Sequence, residues 1–296
     1  MRTPPTAPDA TFALLVVDDD GTEARRFRST SALPDMTGVD ASGLAELRCS
    51  GSAQPSALAF DDIRARLAHV PAASLYVVDL RKESHAFVNG AAVSWYAESN
   101  WGTAGLSDDD ALALEAIRAR LLAASPAIRV GSVDAVKRGG PPSFVEWEPR
   151  SVALEADALG LAPDRYARIP VVDHARPSDA VVDRFVAFAR ALPDGAHVHV
   201  HCRGGKGRTA TFMALLDMMH HAARLPLATI VDRQARLGDY DVRKEASAGS
   251  KKAPFIAERR AFLERFYAYA RENPRGAPAT WSAWSAASPL GESAPR

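Results

Sequence analysis

Length, composition and charge are those of an ordinary globular protein. The 296 residues, 47% hydrophobic and 24% charged, suffice for one large domain or two small ones and exclude a largely disordered chain. Thirty-six basic residues balance thirty-six acidic ones, so no overall charge favours nucleic acid or an anionic membrane as a partner. Any anion binding must therefore come from local clusters of charge.

The N-terminus and the two cysteines bear on the cellular compartment. The apolar run at residues 12–17 is short and is followed at once by Asp18, so no secretory signal peptide is readable. No apolar stretch reaches the roughly 20 residues that a membrane span needs. Cys49 and Cys202 are too few for a disulfide scaffold and lack zinc spacing, although one disulfide between them stays possible. The expectation is a cytoplasmic protein, or one exported without a readable signal.

The N-terminal half is predicted to hold a tail, two helices and one buried strand. Residues 1–24, which begin with a Pro- and Thr-rich run, are assigned to the tail. Ser56 is a helix cap, residues 74–80 are typical of a short buried strand, and Ser107 followed by three aspartates begins a second helix. The apolar stripes of the two helices are predicted at Phe60, Ile63 and Leu67 and at Leu114, Ile117 and Leu121.

The C-terminal half alternates strands and helices. Residues 127–157 contain short β-like pieces and a Gly-Gly-Pro-Pro turn at 139–142, and they are predicted to form a small β insertion. Strands are predicted at 166–172 and 197–200, and helices after the cap Ser178, at 209–221 and at 255–273. This alternation predicts an α/β fold with a mainly parallel sheet.

The segment from His201 to Thr209 carries the strongest chemical signal. It joins a strand to a helix, a geometry that points backbone N–H groups at a bound anion. Its three glycines, which let the backbone close around a tetrahedral phosphate, are Gly204, Gly205 and Gly207. Arg208, six residues after Cys202, can bind two phosphate oxygens, and such a cradle stabilises a cysteine thiolate. The pattern indicates that Cys202 is a nucleophile and that Thr209 donates to its sulfur when the thiolate leaves.

Other interpretations of this segment explain less of it. A Walker A loop needs G-x-x-x-x-G-K-[ST], but Lys206 is followed by glycine. A buried structural cysteine would not explain why cysteine, arginine and three glycines converge at a helix start. His197, His199 and His201 share one strand face, but no carboxylate or cysteine stands nearby at ligand spacing, so no metal site is predicted.

The H-C-x5-R-[ST] pattern resembles the loop of the protein-tyrosine-phosphatase-like enzymes, and the longer match is to the bacterial cysteine phytases. The basic residues Arg203 and Lys206 within it also resemble the tensin-type phosphoinositide phosphatases. The segments that match the phytases are 27–29, 50–54, 79–85 continuing through 88–90 to 94–96, 173–177, 266–267 and the tryptophans at 281 and 284. The resemblance implies a tyrosine-phosphatase-type fold. Its central, mixed, mainly parallel sheet is flanked by helices, with the small β insertion beside it, and residues 25–290 form one catalytic domain.

The same resemblance implies roles for individual residues. Asp173, in a D-H-x-x-P segment, is expected to be the general acid, although the residues alone suit a helix-initiating carboxylate equally well and Asp179 is a nearby competitor. His201 is expected to orient the loop. Contacts with substrate phosphates are expected from Arg203, Gly204, Gly205, Lys206, Gly207, His174, Arg28 and Lys252. A solvated surface arginine is the competing interpretation for Arg28, and an exposed polar turn is the competing one for Lys252.

The expected activity is hydrolysis of a phosphorylated small molecule, an inositol polyphosphate such as phytate. Cys202 attacks phosphorus, Arg208 and the loop amides stabilise the oxygens, and Asp173 protonates the leaving group. No metal or organic cofactor is required. Two alternatives remain: the same chemistry on phosphotyrosine or phosphoinositides, and a module that binds phosphate without turnover.

Overall fold

Two β-sheets organise the computed structural model, which describes residues 13–132, 143–247 and 249–288. In chain order, the strands β1 to β11 of these residues are Leu14–Asp19, Arg28–Ser29, Cys49–Ala53, Leu75–Arg81, His85–Val88, Ala91–Tyr96, Ile128–Ser132, Phe144–Trp147, Val152–Ala153, Tyr166–Val171 and His197–Cys202. Their helices, α1 to α8, are Ala57–Arg66, Asp108–Ala124, Glu155–Ala158, Asp179–Ala191, Gly207–His221, Leu227–Gly238, Ala253–Glu272 and Trp281–Ala287.

The central sheet has five strands in the order β10-β4-β11-β3-β2. Strands β10, β4, β11 and β3 run parallel to one another, and the edge strand β2 is antiparallel to β3. All six residues of β11 are buried, which is typical of a parallel strand covered on both faces. Helices α4, α5 and α7 contribute Phe185, Phe212 and Phe266 to the core that covers this sheet. The predicted mixed, mainly parallel sheet flanked by helices is confirmed.

A second sheet has six strands in the order β8-β7-β1-β6-β5-β9. Residues 127–157 contribute β7, β8 and β9 to it: β7 pairs with β1 and β8, and β9 pairs with β5. The predicted small β insertion is therefore part of a larger sheet: β7 and β8 form one edge of it and β9 forms the other, because short strands need neighbours to complete their hydrogen bonds. The predicted turn at 139–142 lies outside the described residues.

Strand β1 corrects the predicted tail at residues 1–24. It lies between β6 and β7, and its Val16 is fully buried. The Asp18 side chain is 1% exposed and forms an ion pair with Arg81 at 2.8 Å. The tail was assigned from the Pro- and Thr-rich run at its start, whereas a partner distant in sequence keeps Asp18 inside the protein.

Three predicted helix caps are confirmed. The hydroxyls of Ser56, Ser107 and Ser178 each accept a hydrogen bond from the backbone N–H three residues later, which satisfies an otherwise unpaired donor. Strands β4, β10 and β11 and helices α5 and α7 lie within two residues of their predicted bounds. In the part of the chain that the structure describes, no helix combines the length and apolarity that crossing a membrane requires.

The apolar stripe predicted for α2 is wrong. Ile117 is 45% exposed and Leu121 is 63% exposed. The buried residues of the helix are Ala111, Glu115, Ala119 and Leu122. A tertiary ion pair sets the orientation, because Arg168 of β10 donates two hydrogen bonds to the Glu115 carboxylate and so turns the leucine-rich face outward.

We expect two adjacent leucines of α2 to differ in their effect on stability. Leu122→Ala removes a side chain that is 8% exposed and should lower the free energy of unfolding by about 2–3 kcal/mol. Leu121→Ala removes one that is 63% exposed and should change it by less than about 0.5 kcal/mol. Chemical denaturation of both variants measures the difference. Equal losses would mean that the observed orientation of α2 is incorrect.

Candidate active site

The Cys202 loop, residues 202–208, lies where β11 ends and α5 begins. Both neighbours of β11 are parallel to it, so the ends of β3 and β4 meet at the same edge of the sheet. The Gln54 backbone N–H, just after β3, donates to the Arg203 carbonyl at 3.3 Å and ties the loop to this edge. Carboxyl ends of parallel strands and helix N-termini are the places where α/β proteins bind anions.

One of the three loop glycines, Gly205, is required by the geometry. Gly205 has a φ of +64°, and a Cβ at this position would lie 2.4 Å from the backbone nitrogen of Ala53. A Cβ on Gly207 would lie 2.7 Å from the Arg259 guanidinium, whereas the space around Gly204 is open. A side chain at Gly205 would therefore be both strained and blocked, and the tight turn depends on its absence.

Cys202 is buried and accepts a hydrogen bond from Thr209. Its exposed fraction is 3%, and the Thr209 hydroxyl donates to the sulfur at 3.1 Å. Cys49 cannot form a disulfide with it: Cys49 pairs with Val198, four residues from Cys202 along β11, which corresponds to about 13 Å. Burial raises the pKa of Cys49 to about 12, so that thiol stays protonated.

Arg208 is fixed by Glu83. Its two terminal nitrogens donate to the two carboxylate oxygens of Glu83 at 2.7 and 2.9 Å, and one of them also donates to the Val171 carbonyl at 3.0 Å. Both side chains are at most 2% exposed. The remaining Nε–H of Arg208 is buried without a hydrogen-bond partner and lies 3.3 Å from Asp173. This donor is therefore left for a bound anion.

Asp173 lies at the open end of this arrangement. Its side chain is 24% exposed, accepts hydrogen bonds from the His174 N–H and the Asn100 amide, and faces Arg208. Although burial raises it, the positive charges of Arg208 and His174 hold the pKa of the Asp173 carboxyl well below its usual range. The indole of Trp101 donates to the Asp173 carbonyl at 2.8 Å and fixes the backbone. In the ligand-free site Asp173 is therefore ionised.

His174 and Lys252 stand beside Asp173. His174 has a φ of +68°, and its ring packs edge-on against Trp101 with centroids 6.4 Å apart. Burial and the cations of Lys252 and Arg208 lower the pKa of His174, against the opposing charge of Asp173. Lys252, half-buried at the start of α7, thus helps to lower the pKa of His174, the residue next to the predicted general acid Asp173.

The two basic residues inside the loop have different surroundings. The Arg203 guanidinium lies 2.7 Å from Asp18 and packs over the Tyr96 ring at 4.9 Å, with 11% of its side chain exposed. Lys206 is exposed and forms no ion pair with any described residue. The sequence predicted the same substrate-binding role for both, but the structure commits Arg203 to β1 and leaves Lys206 open to solvent.

Arg28 supports the loop from within the protein. It is 6% exposed and donates to the Gly205 carbonyl at 2.7 Å, so it is not a solvated surface arginine. Burial lowers the pKa of Arg28 to about 10. Its neighbour Arg26, which the sequence did not single out, is exposed and donates to the Gly204 carbonyl at 2.9 Å. The cation that faces solvent here is Arg26.

His201 faces buried carboxylates that its sequence spacing could not reveal. Its Nε2 lies 2.9 Å from Glu155, and ligand-type atoms of Asp79, Glu155 and His201 lie within 4.8 Å of one another. Positive groups already compensate these carboxylates, because Arg168 lies 2.8 Å from Asp79 and His85 lies 2.8 Å from Glu155. The arrangement fits a salt-bridge network around Asp79 and Glu155 beside which His201 lies, and it does not fit a metal site.

Other polar side chains near the loop make structural hydrogen bonds. His199 lies 3.0 Å from the Ser50 hydroxyl, and His197 lies 2.9 Å from the same oxygen, so the strand histidines are paired with β3. The Gln234 amide donates to Asp217 at 2.8 Å and is 4% exposed. The amide nitrogen of Gln234 is thus committed to a buried carboxylate.

Arg259 is a candidate site residue that the sequence did not indicate. It is 2% exposed, two of its nitrogens are buried without a hydrogen-bond partner, and the third lies against Gly207. Buried guanidinium groups are normally fully paired, so this one is poised for an anion. The adjacent Arg260 forms an ordinary exposed ion pair with Glu245. Two consecutive arginines in a helix give no sequence signal that separates them.

Known PTP-like phytases are similar to this chain in sequence and structure. The family model for PTP-like phytases, described as inositol hexakisphosphate, matches residues 158–220. A PTP-like phytase from Bdellovibrio bacteriovorus is 34% identical, with a TM-score of 0.76 over 96% of this chain and 97% of that one. The PTP-like myo-inositol phosphatase from Mitsuokella multacida, solved with myo-inositol-(1,3,4,5)-tetrakisphosphate, is 30% identical, with a TM-score of 0.85 over 94% of this chain and 49% of that one.

A bacterial effector is also similar. The effector protein hopD2 of Pseudomonas syringae pv. tomato is 34% identical over 265 residues, which make up 88% of this chain and 56% of that protein. The chain thus spans little more than half the length of this curated relative. The similarity to the Bdellovibrio phytase, by contrast, extends over nearly the whole of both chains. The resemblance expected from the sequence is confirmed, and the chain belongs to the PTP-like phytase family of phosphatases.

Proposed function

We propose that this chain is a cysteine-dependent phosphomonoesterase that hydrolyses inositol polyphosphates such as phytate through a phosphocysteine at Cys202. The observation that carries the proposal is a pair of contacts: Thr209 donates to the Cys202 sulfur at 3.1 Å, and Glu83 holds the guanidinium of Arg208 with two parallel bonds. A positioned sulfur and a fixed guanidinium on one anion-binding loop suit phosphoryl transfer to cysteine. Family membership and the neighbour solved with an inositol tetrakisphosphate support the substrate class.

The proposed reaction has two steps. First, the Cys202 sulfur forms a bond to phosphorus while the bond from phosphorus to the inositol oxygen breaks. Arg208 and the loop N–H groups stabilise the equatorial oxygens, and Asp173 gives a proton to the leaving alkoxide. Water then attacks the phosphocysteine, Asp173 accepts a proton from it, and Thr209 donates to the departing thiolate. These steps use no metal ion and no organic cofactor.

Asp173 must be protonated before it can act as an acid, and substrate binding supplies the required change. In the ligand-free site its carboxylate lies 3.3 Å from Arg208, which holds its pKa low. A phosphate dianion bound to Arg208 neutralises that cation and places negative charge beside Asp173. Both effects raise the pKa of a carboxyl group. In this proposal, binding of the substrate and protonation of the acid are coupled.

Cations around the Cys202 loop support a substrate with several phosphates. Lys206 and Arg26 are exposed beside the loop, and Lys252 is near His174. Arg259 adds a buried guanidinium whose unpaired N–H groups require an anionic partner. Because the chain has no net charge, this local cluster is the feature that would select a multiply charged substrate.

A second candidate function is the same chemistry on phosphotyrosine, and the position of Arg203 favours it. Arg203 was expected to contact additional phosphates, but its guanidinium is 2.7 Å from the buried Asp18 carboxylate. Of the two cations between Cys202 and Arg208, only Lys206 then remains for a neighbouring phosphate. A substrate with a single phosphate needs neither Arg203 nor Lys206 as a partner.

We expect Cys202→Ser to lower the turnover of all phosphomonoesters by at least about 10³-fold, because a serine hydroxyl is a poor nucleophile. The loop amides and Arg208 remain, so the variant should still bind phytate in a calorimetric titration. Arg208→Lys should also fail, because a point charge lacks the planar fork. A serine variant with near-normal phosphate release would exclude the phosphocysteine. Wild-type protein that binds phytate but releases no phosphate would indicate a binding effector.

We expect the pH dependence of the wild-type protein to show the coupling at Asp173. Activity should fall as pH rises through the pKa of Asp173, because the acid loses its proton. Since kcat/KM reports the free protein and kcat the complex with substrate, this falling limb should lie at higher pH in kcat than in kcat/KM. Steady-state rates on phytate, taken from pH 8 down to the lowest pH at which the protein stays folded, follow both falling limbs. Limbs at the same pH would contradict the coupling.

Asp173→Asn tests the identity of the acid. It should remove the falling limb and lower kcat on phytate by roughly 10²–10⁴-fold, the usual contribution of a general acid. p-Nitrophenolate leaves without a proton, so turnover of p-nitrophenyl phosphate should fall much less. Asp179→Asn, in the first turn of α4, is the matched control and should change neither profile. If both substrates slow equally in Asp173→Asn, another residue is the acid.

Lys206→Ala and Arg203→Ala form a matched pair within the loop. Lys206→Ala should lower kcat/KM for phytate by about tenfold and leave p-nitrophenyl phosphate nearly unchanged, and the loss should shrink as ionic strength rises. Arg203→Ala should slow both substrates alike, because it leaves the buried Asp18 with one partner fewer. Rates on phytate and on a phosphotyrosine peptide, measured side by side, compare the two candidate functions. Preference for the peptide, with equal losses in Lys206→Ala, would favour a tyrosine phosphatase.

A further inference from the structure

A second positively charged cavity lies at the opposite end of the central sheet from the Cys202 loop. It measures about 820 Å³ and is lined by the turn before β11, the residue before β3 and the C-terminal end of α5. Strand β11 runs from this turn at His197 to Cys202, five residue steps or about 16 Å away. The cavity is therefore separate from the candidate active site.

Four arginines dominate the charge of this cavity. They are Arg48, Arg190, Arg224 and Arg275, and the acidic residues in the lining are Glu46 and Asp194. None of the four arginines forms an ion pair with a described carboxylate. Arg48 and Arg190 donate only to carbonyls among the described residues, those of Gly195 at 3.3 Å and Gly276 at 3.2 Å. Arg81 and Arg168 show that other buried arginines of the chain are bound to carboxylates. The four cavity arginines have no such partner among the described residues, and only Glu46 and Asp194 of the lining offset their charge.

Histidines extend the same cluster. An adjoining cavity of about 470 Å³ shares Arg48 with the first and adds His69 and His197, while His220 and His221 line the first. Burial, with His69 and Arg48, lowers the pKa of His197 to about 4. Burial, with Arg275 and His221, lowers the pKa of His220. Half of the eight histidines of the chain thus line these two cavities.

We propose that these two adjoining cavities, together the basic cavity, bind a small soluble anion that carries more than one phosphate group. Guanidinium forks match phosphate oxygens two at a time, and several converging forks favour a ligand with several phosphates. The volume is in the range of cavities that hold small molecules. Binding there would neutralise the cluster without involving the Cys202 loop.

The lining argues against larger partners. No phenylalanine, tyrosine or tryptophan lines the basic cavity among the described residues, so nucleic-acid bases would find no ring on which to stack. None of the exposed large apolar side chains of the described chain borders it, so a lipid bilayer would find no apolar rim to enter. A compact anion in solution is the ligand that fits a concave, cationic and non-aromatic wall.

The test uses inorganic tripolyphosphate and the full-length Cys202→Ser variant, which cannot turn substrate over in the proposed mechanism. Imidazole NMR signals report the two sites separately: His69 and His220 line the basic cavity, and His174 lies beside the Cys202 loop. Tripolyphosphate should shift the signals of His69 and His220 in a saturable way and bind at least about tenfold more tightly than inorganic phosphate. Added salt should weaken this binding.

Arg224→Gln combined with Arg275→Gln should weaken the response of His220 by about tenfold or more and leave the response of His174 unchanged. Arg120→Gln, an exposed arginine of α2 without an ion-pair partner among the described residues, is the control and should change neither response. Stationary His220 and His69 signals would overturn the proposal, as would equal affinity for phosphate and tripolyphosphate or full binding by the double variant. Because His174 reports the Cys202 loop, a lack of binding in the basic cavity can be distinguished from a lack of binding at the candidate active site.

Discussion

Six charged side chains form one continuous chain of ion pairs, and the geometry of the candidate site depends on it. In order they are Arg203, Asp18, Arg81, Glu83, Arg208 and Asp173. Successive partners lie 2.7 to 3.3 Å apart, and the four in the middle are at most 2% exposed. Removing one partner leaves a buried charge uncompensated, at a cost of about 3–5 kcal/mol. The orientation of Arg208 is therefore tied to β1 in one sheet and to the end of β4 in the other. Although burial raises it, Arg81 and Arg203 lower the pKa of Asp18 to about 2, so this link stays ionised under all ordinary conditions.

Features with a local chemical cause could be predicted from the sequence. A serine before a helix caps it wherever the chain folds, and the tight turn at Gly205 needs a glycine whatever surrounds it. The same holds for the strand, loop and helix around Cys202, because the order of cysteine, glycines and arginine already predicts a tight turn between a strand and a helix. The central sheet followed from strands and helices that alternate along the chain.

Features that depend on distant partners could not be predicted. Arg203 and Lys206 look equivalent in the sequence, and only a carboxylate 185 residues away from Arg203 separates them. The orientation of α2 depends on Glu115, a charged residue that periodicity places outside any apolar stripe. The assignment of strand β1 to a tail missed the buried ion pair between Asp18 and Arg81, because the local sequence does not show this partner. In each case a buried ion pair outweighs the local pattern.

The position of Asp173 at the end of the ion-pair chain explains why it, and not Glu83, would take the proton in the proposed mechanism. Both carboxylates contact Arg208, but Glu83 is 2% exposed and is also bound by Arg81 and Asn100. Asp173 is 24% exposed and has Arg208 as its nearest strong cation. Without a ligand, the six side chains of the ion-pair chain carry three positive and three negative charges. A phosphate dianion bound to Arg208 gives this group an excess of negative charge. A proton relieves this excess most easily at Asp173, because Asp173 shares the Arg208 cation with the dianion and is accessible to solvent. Protonating Glu83 would instead weaken the hydrogen bonds that hold the Arg208 guanidinium in place. The buried members of the ion-pair chain therefore keep their charges, and the exposed end, Asp173, is the one that takes the proton.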